Sequence, residues 1–353
     1  MSQLQGVGHG EAAAQLRGRL MGMAAWLMLL AGVSAAGTWL ALAYARWRKL
    51  IDQPGERRSH SVPTPRGGGI GIAVALLFGC LVAGTTGMAD PAPLLGFAIG
   101  LLLVAGIGWV DDHHSLSPLL RLCVQGLAGV VLAWGLHGTE ERWGWAVFTT
   151  LSVPVLVNVW NFMDGINGLA SSQAVLVAAA FAWLVPAAAC PALALAATTA
   201  AFVPFNFPRA RIFLGDVGSG TLGYALAALV GLAAWRAPKE VIPYAFVLVL
   251  PLSAFLIDAS LTLGARMLAG EAWWRPHTSH LYQCWVKAGR SHTFVTLVYA
   301  AFSFVAVILA SYLSGVAPWL AGGGVALWLS IALLGWVRLR RRLIPGKGTE
   351  RQA

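Results

Sequence analysis

An all-α, polytopic membrane protein is the fold class this sequence predicts, and three observations carry the expectation. Apolar runs near 20 residues recur from end to end of the 353-residue chain, the length a helix needs to cross a bilayer core. Charged residues make up 11% and hydrophobic residues 58%, about half the charge density of a soluble domain. The runs are continuous and do not alternate as the strands of a β-barrel would.

Eleven spans are expected, at about 20–45, 70–88, 94–110, 118–136, 144–161, 168–185, 190–206, 218–235, 241–266, 293–314 and 317–337. The first follows Arg17 and Arg19, as the core of a signal peptide would. It continues to about residue 45, too long for that, and is read as a retained span. Only the Pro186 to Pro191 turn separates the sixth from the seventh, so ten spans with a re-entrant piece is the alternative count. No polar stretch is long enough for a separate soluble domain. The chain is taken as one integral-membrane domain, 1–353, with an N-terminal tail at 1–19 and a basic tail at 338–353.

The formal charge is +10, but the basic residues lie between spans rather than on one soluble face, which argues against nucleic acid. Placing the segment after the first span in the cytoplasm puts 19 of the 24 lysines and arginines on that side. The N-terminus is then periplasmic and the C-terminus cytoplasmic. Cys80, Cys123, Cys190 and Cys284 are scattered, without CxxC or zinc spacing; the first three read as small apolar residues in or near spans.

In that orientation every chemically interesting segment is cytoplasmic. Asn158 to Leu169, NVWNFMDGINGL, ends the fifth span with polar residues at every third position: Asn158, Asn161, Asp164 and Asn167. A helix would put the first three on one face, and Gly165 and Gly168 allow a sharp turn. A glycine-capped polar helix end is the bland alternative. Asp111-Asp112-His113-His114 closes the third span with two adjacent carboxylates, costly at a membrane boundary unless a cation or water compensates. Asp216 lies between glycines where the eighth span should begin, a setting that keeps a carboxylate ionised and suits a hard Mg²⁺ ion. An N-cap aspartate would look the same.

Arg57 to Gly69 combines cations, hydroxyls and a Gly67-Gly68-Gly69 run that opens a helix, as a phosphate site requires, yet lacks the Walker A ending. His277 and His280 lie in the longest later loop and are suited to phosphate contact or proton shuttling. Asp258 near the end of the ninth span is either functional or paired with Arg266. Acidic oxygens, amides and cations at a lipid–water border suit Mg²⁺-assisted phosphoryl transfer from a nucleotide-bearing substrate to a lipid phosphate.

Taken together, PTPRGGG at 63–69, DDHHSLSP at 111–118, NVWNFMDGINGL at 158–169, FNFPRARIFLGDVGSG at 205–220 and RPHTSHLYQ at 275–283 resemble the polyprenyl-phosphate N-acetylhexosamine-1-phosphate transferases. The resemblance implies a magnesium-dependent enzyme (Mn²⁺ substituting) of the bacterial inner membrane, with its site on the cytoplasmic face. Its partners would be a UDP-N-acetyl sugar and polyprenyl phosphate, with homodimerisation left open.

By the family pattern Asp216 is the metal ligand, and Asp111, Asp112 and Asp164 are catalytic, their division of labour open. Asn158 and Asn161 line the centre, Asn167, Asn206 and Phe213 lie near the uridine, and Arg66, His277 and His280 contact phosphate or sugar. Asn167 stands where many members have aspartate, and His280-Leu-Tyr-Gln283 replaces a histidine cluster. Both features are similar to the branch that starts O-antigen chains on 6-deoxy-N-acetylhexosamines. The peptidoglycan-precursor and N-acetylglucosamine enzymes are the near alternatives, and a transporter or flippase of lipid-linked sugars the alternative outside the family.

Overall fold

A computed structural model of the chain describes residues 3–55, 62–138, 143–236, 246–272 and 277–343. It is a helical bundle of α1 (Gln3–Trp47), α2 (Ile70–Thr85), α3 (Pro91–His113), α4 (Pro118–His137), α5 (Trp143–Met163), α6 (Leu169–Leu184), α7 (Ala189–Asn206), α8 (Gly215–Arg236), α9 (Val249–Leu268), α10 (Leu281–Lys287), α11 (His292–Leu313) and α12 (Pro318–Leu343). The all-α membrane class is therefore observed. Among the described residues nine helical segments are long and apolar enough to cross a membrane. The other two expected spans, α2 and α6, have 16 residues each, about 24 Å and short of a bilayer core of roughly 30 Å. A 3₁₀ turn at Pro186–Ala188 divides α6 from α7, where the split was expected. α1 begins at Gln3, so most of the expected N-terminal tail is helical.

Local chemistry explains where several helices start and stop. Ser117 and Ser291 cap α4 and α11, each hydroxyl accepting the backbone N–H three residues on, at 3.2 Å. Pro91 and Pro118 occupy first-turn positions, where a missing N–H costs nothing. Pro154 inside α5 lacks the N–H its turn would use, and its carbonyl oxygen accepts the Asn158 side-chain amide at 2.7 Å.

The bundle is organised around α8. Its span is 89% buried, against 22% for those of α1 and α12. Between lipid-soluble helices there is little hydrophobic gain from association, so close backbone approach must supply the packing. Small residues allow it. A β-carbon on Gly69, at the start of α2, would lie 2.1 Å from Gly218 Cα, and one on Gly223 2.5 Å from Val157 Cα of α5. α8 therefore runs against α3 and α5 and touches α2, α4, α6 and α7. A separate apolar cluster, including Leu250, Ala306, Leu313 and Val325, joins α9, α11 and α12.

Two features were not expected from the sequence. Ile51–Asp52 (β1) and Thr64–Pro65 (β2) pair antiparallel, and the chain beyond β2 is tied down where Phe213 N donates to Pro65 O and Gly68 N to Phe213 O. Asp258 is buried and does not pair with Arg266, which instead meets Glu271 at 2.6 Å. Its carboxylate accepts Leu281 N at 2.8 Å, Tyr299 OH at 2.7 Å, Trp336 Nε1 at 3.1 Å and Thr262 Oγ1 at 3.2 Å. One acid thus fastens α10, α11 and α12 to α9.

Candidate active site

The end of α3, the end of α5 and the first turn of α8 converge, and the polar residues of all three meet there. Asp111 and Asp112 immediately precede His113, the last residue of α3. Neighbouring helix positions point about 100° apart, so their carboxylates serve different partners. Asp111 accepts Leu116 N at 2.7 Å and pairs with Arg121 of α4 at 2.6 Å. Asp112 accepts Asp216 N at 3.0 Å and Val217 N at 3.1 Å, so it satisfies the free N–H groups that open α8. Gly215, at φ +77°, makes the tight entry to that helix, and a β-carbon there would lie 2.6 Å from Asp112 Oδ2. Arg66 binds the Asp112 backbone oxygen, with Nε 3.9 Å from the carboxylate.

Asp216 is thereby aimed from a helix N-terminus whose amides are already taken by another acid. Asn161 donates to Asp216 Oδ1 and, at 3.2 Å, to Ser219. α5 ends at Met163, so Asp164 leaves the face it was expected to share and sits in the following bend. Among the described residues its carboxylate has no hydrogen-bond donor. Surrounding protein, then the charges of Asp216 and Asp112, push it up to about 8. Asn158 donates to Gln125 Oε1 at 2.7 Å. A crevice of about 20 Å³ between α3, α4, α5 and α8 reaches Asp216 past Arg121, Gln125, Asn158 and Asn161.

The remaining expected residues form the shell. Asn206 is buried, with Oδ1 accepting Gly168 N at 2.7 Å and Nδ2 donating to Ile212 O at 3.0 Å, so its amide staples two loops together. Asn167 donates to Pro208 O at 3.1 Å. Phe213 contributes the backbone bonds already described. His280 is buried between the rings of Phe162 and Tyr282, at 5.9 and 6.0 Å. Tyr282 OH donates to Phe162 O at 2.9 Å, locking this loop to the end of α5. His277 is half-buried, 4.9 Å from the His280 ring. Burial, then His280, Arg266 and Arg340, lower its pKa to about 4, so it is neutral at pH 7. Arg275 and the Trp273–Trp274 pair lie outside the described residues. Sequence reasoning missed Arg121 and Gln125, whose partners lie 10 and 33 residues away on other elements.

Four aspartates and two arginines share this region, leaving about two negative charges when all are ionised. That imbalance suits one divalent cation. Among the described residues no three histidine, cysteine or acidic side chains form a ready-made metal cage. Mg²⁺ does not need one, because it usually takes one or two carboxylates and fills its other positions with phosphate and water. The donor set fits, with Asp216 nearest the centre and Asp164 beside it.

A polytopic helical bundle with a cluster of acids at its helix ends defines an integral membrane protein with a site suited to a cation. The sequence profile of Glycosyl transferase family 4 matches residues 94–234, which include both α3 acids, the α5 segment and Asp216. The chain is 27% identical over 289 residues to a probable undecaprenyl-phosphate N-acetylglucosaminyl 1-phosphate transferase of Bacillus subtilis, covering 77% of this chain and 79% of that one. It is 29% identical over 350 residues to decaprenyl-phosphate N-acetylglucosaminephosphotransferase of Mycobacterium tuberculosis, covering 84% of each. To phospho-N-acetylmuramoyl-pentapeptide-transferase of a Synechococcus species it is 34% identical over 238 residues, covering 58% and 67%. The chain belongs to glycosyl transferase family 4, among the polyprenyl-phosphate N-acetylhexosamine-1-phosphate transferases.

Proposed function

We propose that the protein transfers an N-acetylhexosamine 1-phosphate from a UDP-sugar to polyprenyl phosphate at the cytoplasmic face of a bacterial inner membrane. An oxygen of the lipid phosphate attacks the sugar-bearing phosphorus. The bond from that phosphorus to the bridging oxygen breaks, UMP leaves with that oxygen, and a polyprenyl-diphosphate-sugar remains. The observation that carries this reading is the cluster of Asp111, Asp112, Asp164 and Asp216 around the start of α8, with Arg66 and Arg121 at its edges.

The acids and arginines divide the work by what already occupies them. Asp112 is engaged by two backbone amides and holds α8 in place. Asp216, with one oxygen steadied by Asn161, and Asp164, without donors, are the groups that would hold Mg²⁺; that ion, when bound, would neutralise charge on the transferring phosphate. Arg66 and Arg121 are the cations that would meet phosphate oxygens, and Asp111 keeps Arg121 in place.

The relatives' names span N-acetylglucosamine and N-acetylmuramoyl-pentapeptide donors. Asn167 and the His280-Leu-Tyr-Gln283 sequence favour a 6-deoxy-N-acetylhexosamine and a role in starting O-antigen synthesis. The test is UMP release by purified protein offered a panel of UDP-N-acetyl sugars with undecaprenyl phosphate and Mg²⁺. Turnover that Asp216→Asn and Asp111→Asn abolish, in folded protein, is the expected result. Retained turnover in both variants would remove the assignments, and preference for UDP-N-acetylglucosamine would remove the 6-deoxy reading.

A further inference from the structure

α5 stops at Met163, and the group that stops it comes from a loop 120 residues further along the chain. In a continuing helix the Phe162 carbonyl would accept Ile166 N. Here it accepts Tyr282 OH, at 2.9 Å. Asp164 N reaches back only three residues, to Asn161 O at 3.3 Å, so the last turn tightens as it ends. Gly165 follows, and the position has no room for a side chain. A β-carbon there would overlap Tyr282 Oη and lie 3.0 Å from Cζ. The phenol thus replaces the hydrogen bond of the next helical turn, and Asp164 is left in the bend.

Tyr282 is itself held from several sides. It is 1% exposed, and its ring lies 6.0 Å from that of His280 at an angle of 15°. Its backbone is fixed from behind, where Asp258 accepts Leu281 N at 2.8 Å and Tyr282 N at 3.4 Å. Asp258 is secured in turn by Tyr299 OH at 2.7 Å. A buried tyrosine hydroxyl needs a partner, and a ring so confined points it at one atom. The contacts therefore run from α9 through the start of α10 to a carbonyl two residues before Asp164. A simple fastening could be made anywhere along α5. This one is made at the carbonyl whose own bond would otherwise carry the helix through Asp164.

We infer that Tyr282 is a positioning residue: its hydroxyl ends α5 and so sets the Asp164 carboxylate beside Asp216, with Asp258 as its support. The hydroxyl is spent on Phe162 O, so Tyr282 acts through Asp164 rather than on the substrate. The inference deepens the transferase reading above and rests on it for the kinetic part of its test.

Tyr282→Phe keeps the ring and removes the hydroxyl. The expected result is a kcat lower by on the order of 10²-fold, with the KM values for UDP-sugar and undecaprenyl phosphate unchanged. A second readout needs no turnover: the rise in unfolding midpoint on adding Mg²⁺ should be smaller in Tyr282→Phe than in wild type. A variant with a lower midpoint but wild-type kcat and a wild-type response to Mg²⁺ would make Tyr282 a fastener only and overturn the proposal. A wild-type midpoint that ignores Mg²⁺ would overturn it as well. No UMP release by the wild type with any UDP-sugar would instead remove the functional reading, and the Mg²⁺ comparison would still decide the role of Tyr282. If Tyr282→Phe fails to fold, Gly165→Ala presses on the hydroxyl from the other side. A weakened Mg²⁺ response in that variant supports the proposal, and a wild-type response overturns it.

Discussion

Asp112 and Asp216 stand one hydrogen bond apart and do opposite things. Asp112 spends both oxygens on backbone N–H groups, so Asp112→Asn turns one acceptor into a donor facing Asp216 N or Val217 N. We expect a stability loss of about 1–3 kcal/mol, read as a lower midpoint of thermal unfolding in detergent. Asp216→Asn removes a charge from a crowded set of acids without exposing an amide. Its midpoint should stay level or rise, while turnover falls on the order of 10³-fold. Equal destabilisation by the two substitutions would mean that Asp112 does not cap α8. His277 makes a separate prediction. Its folded pKa of about 4 lies below the ordinary 6.5, so between these values the unfolded chain binds more protons. Its contribution to stability is present above about pH 6.5 and is lost as pH falls through 4. The unfolding midpoints of wild type and His277→Gln should therefore converge or cross as pH is lowered through that window, the variant becoming relatively more stable in acid.

Helices carry their own predictions. Gly69→Ala would drive a β-carbon into the Gly218 backbone, where no side chain can move aside. The variant should fail to give a monodisperse folded protein, checked by gel filtration in detergent, whereas Gly106→Ala, with open space around it, should behave as wild type. Asp258→Ala would strand Leu281 N, Tyr299 OH and Trp336 Nε1 in buried surroundings and cost about 3 kcal/mol or more. Hydrogen exchange should then show α10 opening before the rest. The long helices were legible because a run of 20 apolar residues has few alternatives. β1, β2 and α10 were not, since strands of two residues and a helix of seven carry no periodicity of their own. The acids could be picked out by their cost at a boundary, but not their partners. Asp112 binds an amide 104 residues away, and Asp258 serves three helices that follow it. Asn206 is placed near the uridine only by resemblance, and nothing in the sequence signals that its amide joins Gly168 to Ile212, 38 and 6 residues away.

For the whole molecule the decisive quantity is the surplus of negative charge gathered by elements from α3 to α8. A divalent ion that relieved it would bind the folded protein and not the unfolded chain. At about 100 times its dissociation constant Mg²⁺ should add about 2.7 kcal/mol of stability. The corresponding rise in unfolding midpoint should be present in wild type and missing from Asp216→Asn and Asp164→Asn together. A rise that survives the double substitution would place the ion elsewhere. The burial of α8 has one more consequence. Lipid would meet mainly the outer helices, so a thicker or thinner bilayer should strain α1 and α12 more than the buried α8. Reconstitution into nanodiscs of graded acyl length should accordingly alter how readily the protein inserts far more than how fast it turns over.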